Sequence, residues 1–187
     1  MDPERHVETD SELLRQALNG QVKALCELVD RHAPHLFSVA RSLVGNRADA
    51  EDLVQETILA VLDALPSFAG QSSLKTWMTG ILVKQVAAWR RRQHIRRTSP
   101  LAPESHEIAP RSAMAFSDSA SGADIRMDVQ AALDALSPQH REVLVLRELG
   151  GLSYDEISAA LGLPRGTVES RIHRARMELR DQMKGYA

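Results

Sequence analysis

The chain has 187 residues, of which 43% are hydrophobic and 26% are charged, and its net charge is −2. This composition is typical of one ordinary globular domain or two small ones, and it excludes a largely disordered chain. The single cysteine, Cys26, excludes an internal disulfide framework and a zinc site built from several thiolates.

The N-terminal residues and the hydropathy of the chain indicate its compartment. The opening sequence MDPERHVETD has no apolar stretch, so we predict no signal peptide. No apolar run reaches the roughly 18 residues of a membrane span. We therefore expect a cytoplasmic protein without a membrane span.

The charges are segregated along the chain, although the total is close to zero. Residues 67–99 contain seven Lys and Arg and no Asp or Glu, whereas residues 1–30 and 100–140 are acidic. A near-neutral total argues against a nucleic-acid-binding protein, whose domain is usually basic. The segregation, however, indicates separate surfaces for partners of opposite charge.

Apolar residues at helical spacing predict an all-α chain. They favour helices on both sides of Pro34 and two amphipathic helices over residues 50–65 and 73–92. No segment alternates apolar and polar residues as a half-buried strand does. Residues 98–123 are rich in Ser, Ala and Pro and have no apolar period, which predicts a flexible linker between two small helical domains.

The helix predicted over residues 50–65 has an acidic face. Asp49, Asp52 and Glu56 lie at i, i+3 and i+7, where like charges repel each other by a few tenths of a kcal/mol per pair. Complementarity to the helix dipole explains acidic residues in the first turn, but it does not explain Glu56. A basic partner outside the chain would explain the whole face.

The helix predicted over residues 73–92 is basic, and a polar loop precedes it. Cations close to aromatic rings are typical of a surface for single-stranded nucleic acid, in which rings stack on bases and cations bind phosphates. Both tryptophans could instead belong to the hydrophobic core. This is the favoured interpretation for Trp89, which lies on the apolar stripe, whereas Trp77 fits both interpretations equally. Ser72 or Ser73 is the expected N-cap.

The C-terminal module contains the pattern of a helix-turn-helix. Ser137-Pro138 predicts a helix start, and Gly150-Gly151 its end. Ser153 and Glu156 have capping-box spacing at the start of a short helix, and Gly162-Leu163-Pro164 breaks that helix before a second one begins near Thr167.

The second helix of this motif has two distinct faces. Val168, Ile172, Ala175 and Leu179 form the expected buried stripe, and Ser170, His173, Arg174 and Met177 point away from it. In a helix-turn-helix, residues on such an outer face contact base edges while flanking cations bind phosphates. A solvated basic face on a small bundle is the alternative.

These segments resemble the extracytoplasmic-function (ECF) sigma factors of bacterial RNA polymerase. The sequence DAEDLVQET from Asp49 to Thr57, the loop that begins FAG at Phe68, Trp77 and the arginine-rich helix end are similar to region 2 of that family. The sequences LSP from Leu136, LSYDEI from Leu152 and GTVESRIHRAR from Gly166 are similar to region 4. The implied organisation is an N-terminal extension (1–20), region 2 (21–97), a linker (98–127) and region 4 (128–184).

The resemblance implies a role for each surface in promoter recognition. It implies that the acidic helix binds the clamp helices of core RNA polymerase through Asp49, Asp52, Leu53, Gln55 and Glu56. It implies that the polar loop and the basic helix recognise and help melt the −10 promoter element through Phe68, Gly70, Ser72, Ser73, Trp77, Lys84, Arg90, Arg91 and Arg92. It implies that the helix-turn-helix recognises the −35 element through Arg165, Thr167, Ser170, Arg171, His173 and Arg174.

The expected function is therefore that of an alternative sigma factor, with no catalytic residue, metal or cofactor of its own. The resemblance also implies an anti-sigma factor as a partner, besides core polymerase and promoter DNA. The chain departs from the family at Lys84, where Asn is usual, and at Ala88, where Asp is usual.

Other functions are less consistent with these patterns. A stand-alone helix-turn-helix regulator would bind duplex DNA without polymerase, but it leaves the acidic helix and the basic segment unexplained. An enzyme is disfavoured because no HExxH, GxSxG or GxxxxGK[ST] motif is present. Cys26, His32 and His35 are close enough in sequence to suggest a metal or redox sensor, although a lone Cys near scattered His is more often inert.

Overall fold

The two described ranges of the chain fold mainly into α-helices. The computed structural model describes residues 8–98 and 130–183, and these ranges contain no strand. The helices are α1 (Asp10–Leu18), α2 (Val22–Val44), α3 (Arg47–Ala64), α4 (Leu74–Thr98), α5 (130–135), α6 (Pro138–Glu148), α7 (Tyr154–Leu161) and α8 (Arg165–Met183). The all-α fold with two helical domains is confirmed, and the predicted linker lies outside the described residues from position 99 onward.

Helix α2 is the centre of the first domain, because α1, α3 and α4 all pack against it. Its apolar stripe meets those of α3 and α4, so that the side chains at the contact are almost fully excluded from water. These core residues include Leu36, Val39, Leu53, Val54 and Leu82, each no more than 1% exposed. Complete burial of one such side chain stabilises the fold by about 1.5–3 kcal/mol.

The expected break at Pro34 is wrong, since α2 runs through this residue without interruption. A proline inside a helix has no N–H for the carbonyl of the residue four positions earlier, here Asp30. Both Pro34 and Asp30 are exposed, so water can bind the freed carbonyl and the helix continues.

Helix α1 is attached to α2 by one buried side chain and by polar contacts. Leu13 is 1% exposed, and a capping box formed by Thr9 and Glu12 starts the helix. Asp10 accepts a hydrogen bond from Arg31 at 2.9 Å and lies 2.9 Å from His32 Nε2. The segment predicted as an N-terminal extension therefore contains a helix that packs on the first domain.

Local capping signals determine the helix limits in the second domain. Ser137 Oγ accepts the His140 N–H with Pro138 at the first helical position, and Ser153 and Glu156 form a reciprocal capping box. Gly162 ends α7 with a φ of +64°, a left-handed conformation that favours glycine. Helix α8 begins at Arg165, two residues before the predicted start, because the Pro164 carbonyl already accepts hydrogen bonds from Thr167 and Val168.

The two domains also contact each other. Helix α2 touches α6, and α4 touches α7. At this boundary the guanidinium of Arg90 on α4 forms an ion pair with Glu142 on α6 and donates to the Leu43 carbonyl oxygen at 3.3 Å. Among the described helices, none is both long and apolar enough to cross a membrane.

Candidate functional site

The first candidate surface is the acidic face of α3. Asn46 starts this helix, and its Oδ1 accepts the Asp49 N–H at 2.9 Å. The Asn46 side-chain amide also donates to the Asp49 carboxylate, so Asp49 takes part in the cap. Asp52 and Glu56, one and two turns further on, are exposed, and they are the carboxylates of this face that project into solvent beyond the cap.

The structure divides the remaining predicted residues of α3 between core and surface. Leu53 is 1% exposed and packs in the core, where it fixes the position of α3 rather than offering a contact surface. Gln55 is partly exposed. Leu59, which the sequence analysis missed, is 64% exposed three residues after Glu56. The position of Leu59 outside the apolar period of α3 is the feature of the sequence that indicates an exposed leucine.

The second candidate surface begins with the loop before α4. The ring of Phe68 lies against the ring of Trp77, with 4.9 Å between centroids and an angle of 48° between the planes. Gly70 has a φ of +67°, a left-handed backbone conformation that favours glycine at this point of the loop. Ser73 Oγ accepts the Thr76 N–H at 3.1 Å, so Ser73 is the N-cap, one of the two residues expected from the sequence. Ser72 is only partly exposed, and its hydroxyl is oriented toward the Ser73 carbonyl at 3.4 Å.

Both tryptophans are partly buried and pack against the hydrophobic core. This agrees with the core interpretation of Trp89. Trp77 is consistent with both interpretations, because it packs against the core and Phe68 and is still partly exposed.

The basic residues of α4 are in different environments. Lys84 and Arg91 are exposed to solvent. Arg90 pairs with Glu142 in the second domain, and Arg92 lies 3.3 Å from a carboxylate oxygen of Glu56 on α3. The structure thus places the cations predicted for DNA on one helix and pairs two of them with carboxylates. Ala88, on the same helix, is partly exposed.

A half-buried histidine links α2 to α4. Burial, followed by the electrostatic effects of Lys75 and His32, lowers the pKa of His35 to about 4. His35 is therefore neutral at pH 7. The Thr79 hydroxyl donates to the Lys75 carbonyl oxygen at 2.8 Å, so it accepts from His35 Nε2 at 3.2 Å.

The third candidate surface is the outer face of α8. Val168, Ile172 and Ala175 are no more than 1% exposed, which confirms the predicted buried stripe, and Leu179 packs beside them. On the other side the predicted contact residues form one surface. Arg165, Ser170, His173 and Arg174 are exposed, and Thr167 and Arg171 are partly exposed.

Three hydrogen bonds shape this surface. Arg165 Nη1 donates to both carboxylate oxygens of Asp155 on α7, at 3.0 and 2.9 Å, which connects the two helices of the motif. Ser170 donates to the Thr167 carbonyl oxygen at 3.0 Å, so in this structure its hydroxyl offers acceptor lone pairs to an outside group.

The proposed sensor residues do not converge. His32 is bonded to Asp10 and His35 to Thr79, while Cys26 is exposed. In the described parts of the chain, no three His, Cys, Asp or Glu side chains form a group able to hold a metal ion.

Comparison with known proteins identifies both domains. The Sigma-70 region 2 family matches residues 28–95, and the Sigma-70, region 4 family matches residues 126–179. The chain is 39% identical over 165 residues to the ECF RNA polymerase sigma factor SigE of Mycolicibacterium smegmatis, covering 84% of this chain and 60% of that protein. It is 32% identical to the ECF RNA polymerase sigma-E factor of Escherichia coli K12, covering 90% of this chain and 91% of that protein.

Two solved structures are also similar to this chain over most of its length. CnrH in complex with the cytosolic domain of CnrY has a TM-score of 0.63 at 27% identity, covering 96% of this chain and 100% of that one. The sigma factor RpoE of Bartonella quintana, in complex with the anti-sigma factor NepR, has a TM-score of 0.63 at 30% identity, covering 87% and 98%.

The two helical domains are therefore regions 2 and 4 of a sigma-70 protein. Within that class the chain belongs to the ECF RNA polymerase sigma factors, and it is an alternative sigma factor that directs transcription initiation.

Proposed function

We propose that the chain binds core RNA polymerase through α3 and promoter DNA through α4 and α8. The observation that supports this best is the separation of charge by helix. Asp52 and Glu56 project from α3, whereas Lys84 and Arg91 project from α4, and Arg165 and Arg174 from α8. The acidic face of α3 is complementary in charge to a basic protein helix. The basic faces of α4 and α8 are complementary in charge to DNA phosphates.

In this proposal the first domain recognises the −10 element and helps to melt it. Separation of the strands costs roughly 1–2 kcal/mol of stacking per base-pair step. Stacking of an unpaired base on an aromatic ring returns about 1–3 kcal/mol. Trp77 and Phe68 at the edge of the loop supply such rings, and the exposed cations of α4 lie on the helix that follows.

The second domain recognises the −35 element in duplex DNA. In this proposal the residues near the start of α8, which are exposed, enter the major groove as in other helix-turn-helix proteins. The catalytic chemistry of transcription belongs to the polymerase. An anti-sigma factor is the expected regulatory partner, since CnrH and the Bartonella RpoE are each solved with a second protein, in the latter case one named as an anti-sigma factor.

Polymerase binding is tested with an Asp52→Lys variant. Asp52 is exposed and forms no ion pair within the described residues, so the fold should be unchanged. We expect this variant to lose binding to core polymerase and transcription from a cognate promoter, and Glu56→Lys to lose them as well. Asp30→Lys makes the same charge change on the exposed side of α2 and should bind normally.

Two outcomes would contradict the proposal. Normal polymerase binding by Asp52→Lys and Glu56→Lys would remove α3 as the docking surface. Tight, sequence-specific binding of duplex promoter by the free protein, with no dependence on polymerase, would favour a stand-alone helix-turn-helix regulator instead.

A further inference from the structure

One carboxylate lies among the cations near the start of α8. Glu169 is exposed, and it is not one of the residues that the sequence predicts to contact the −35 element. It lies one helical turn after Arg165 and one turn before His173, on the side of α8 that carries both of these predicted DNA contacts. Its two neighbours therefore place Glu169 within the proposed DNA interface.

The side chains around Glu169 do not neutralise its charge. Arg165 has the i,i+4 spacing of an ion pair with Glu169, but its guanidinium donates to both carboxylate oxygens of Asp155 on α7 instead. An arginine that precedes the glutamate is also the less favourable order for such a pair. In the part of the chain that the structure describes, the Glu169 carboxylate has no ion pair or hydrogen bond. Both of its oxygens are open to a donor from outside.

Stabilisation of α8 does not explain a carboxylate at this position. Glu169 is the fifth residue of the helix, and the first turn has no acidic residue. A favourable interaction with the helix dipole is limited to that first turn. On a surface that binds phosphates, a negative charge also lowers the affinity for DNA of any sequence. The charge of Glu169 is therefore unfavourable in the bound state unless the DNA supplies a donor.

The chemistry of the base edges limits which base can supply that donor. A carboxylate only accepts hydrogen bonds. In the major groove, guanine presents the acceptors N7 and O6, and thymine presents the acceptor O4 beside its methyl group. Adenine presents a donor at N6 next to an acceptor at N7, whereas cytosine presents the donor N4 alone. Cytosine is therefore the base that matches an unpaired carboxylate best.

We propose that Glu169 selects a cytosine in the −35 element by accepting a hydrogen bond from its N4 amino group. Guanine or thymine at the same place brings an acceptor against the carboxylate, so these bases are rejected by repulsion as well as by the missing bond. Glu169 in this way adds sequence preference to α8 at the expense of general affinity for DNA. This inference rests on the proposed binding of the −35 element by α8.

The test selects binding sites with the complex of the full chain and core RNA polymerase. The probes are promoter-length duplexes randomised over the −35 and −10 segments, and the bound duplexes are sequenced. We expect the unchanged protein to enrich cytosine at one position of the −35 segment. Glu169→Gln should shift that position to adenine, because an amide pairs with adenine N6 and N7. Glu169→Ala should show no preference there, and the other enriched positions should stay the same in both variants.

Affinities for single duplexes separate base recognition from a general effect of charge. Replacement of the selected cytosine by thymine should weaken binding of the unchanged protein about five- to tenfold, and that of Glu169→Ala less than about twofold. A duplex of unrelated sequence should bind Glu169→Ala about two- to threefold more tightly at the same salt, because a repulsive charge is lost. Asp30→Asn loses the same charge on the exposed side of α2 and should change neither measurement.

The proposal is overturned if no cytosine position of the selected sequences responds to Glu169→Gln. It is also overturned if Glu169→Ala weakens binding of all duplexes equally, because Glu169 then supports the domain rather than reading a base. Both results leave the proposed function of α8 intact. That function fails on a different result, the absence of any enriched −35 sequence with the unchanged protein.

Discussion

His35 Nε2 lies 3.2 Å from Thr79 Oγ1, so a half-buried histidine on α2 is bonded to α4 in the domain that carries two of the three candidate surfaces. Burial is the main reason that the pKa of this histidine is lowered to about 4, and Lys75 and His32 add to the effect. The neutral form is thus favoured in the folded protein, whereas the unfolded chain has the ordinary value of 6.5.

This histidine should make stability depend on pH. Between pH 6.5 and about 4 the unfolded chain binds a proton at His35 that the folded protein does not, so the free energy of unfolding falls as the pH falls. We expect His35→Gln to reduce this loss, measured as the slope of Tm against pH. His173→Gln, an exposed position on α8, should keep the slope of the unchanged protein, and an identical slope in His35→Gln would contradict the assignment.

A glycine in the second domain is constrained by backbone packing. A Cβ at Gly150 would lie 2.6 Å from the Leu146 carbonyl oxygen, too close for the turn after α6 to stay in place. We expect Gly150→Ala to destabilise the domain by about 1–3 kcal/mol in urea denaturation.

The matched control is the same substitution at Gly166 in α8. A Cβ there meets no heavy atom of the described residues within 4 Å. Gly166→Ala should therefore be neutral or stabilise by up to about 1 kcal/mol. Equal denaturation midpoints for the two variants would show that the contact with Leu146 is not limiting.

The sequence predicts features that depend on neighbouring residues more reliably than features that depend on distant ones. The caps at Ser137 and Ser153 were predictable because a hydroxyl and an N–H three residues apart determine them. The continuity of α2 through Pro34 was not, because it depends on which side of the helix faces water.

The same distinction applies to the candidate site. The buried stripe of α8 follows from helical period alone, whereas the pairing of Arg90 with Glu142 joins residues 52 positions apart in different domains. Spacing identified Arg90 as a cation of the basic helix, but it contained no information on the partner that holds it. Leu53 lies within the acidic segment but on the buried side of α3, as its place in the apolar period indicates.

Tryptophan fluorescence can show which ring meets DNA. The chain has two tryptophans, so Trp89→Phe leaves Trp77 as the single emitter, and Trp77→Phe leaves Trp89. Because Trp77 lies at the loop with Phe68, we expect single-stranded DNA to quench the emission of Trp77 in the Trp89→Phe variant. The Trp77→Phe variant should show little change, and a stronger response from Trp89 would place the single strand elsewhere on the domain.

The −35 assignment is tested by two arginines on α8. Arg174 lies on the exposed face near the middle of the helix, and Arg180 lies in the last turn. If Arg174 contacts a base edge, Arg174→Ala should weaken binding of the cognate duplex by about 1–3 kcal/mol and relax the preference at one base pair. Arg180→Ala should at most weaken all sequences equally, since a cation near phosphates adds affinity without sequence preference. Binding measured by anisotropy on duplexes with single base-pair changes, at constant salt, distinguishes the two effects. A uniform loss of affinity in Arg174→Ala would make Arg174 a phosphate contact and leave base recognition to the other exposed residues of α8.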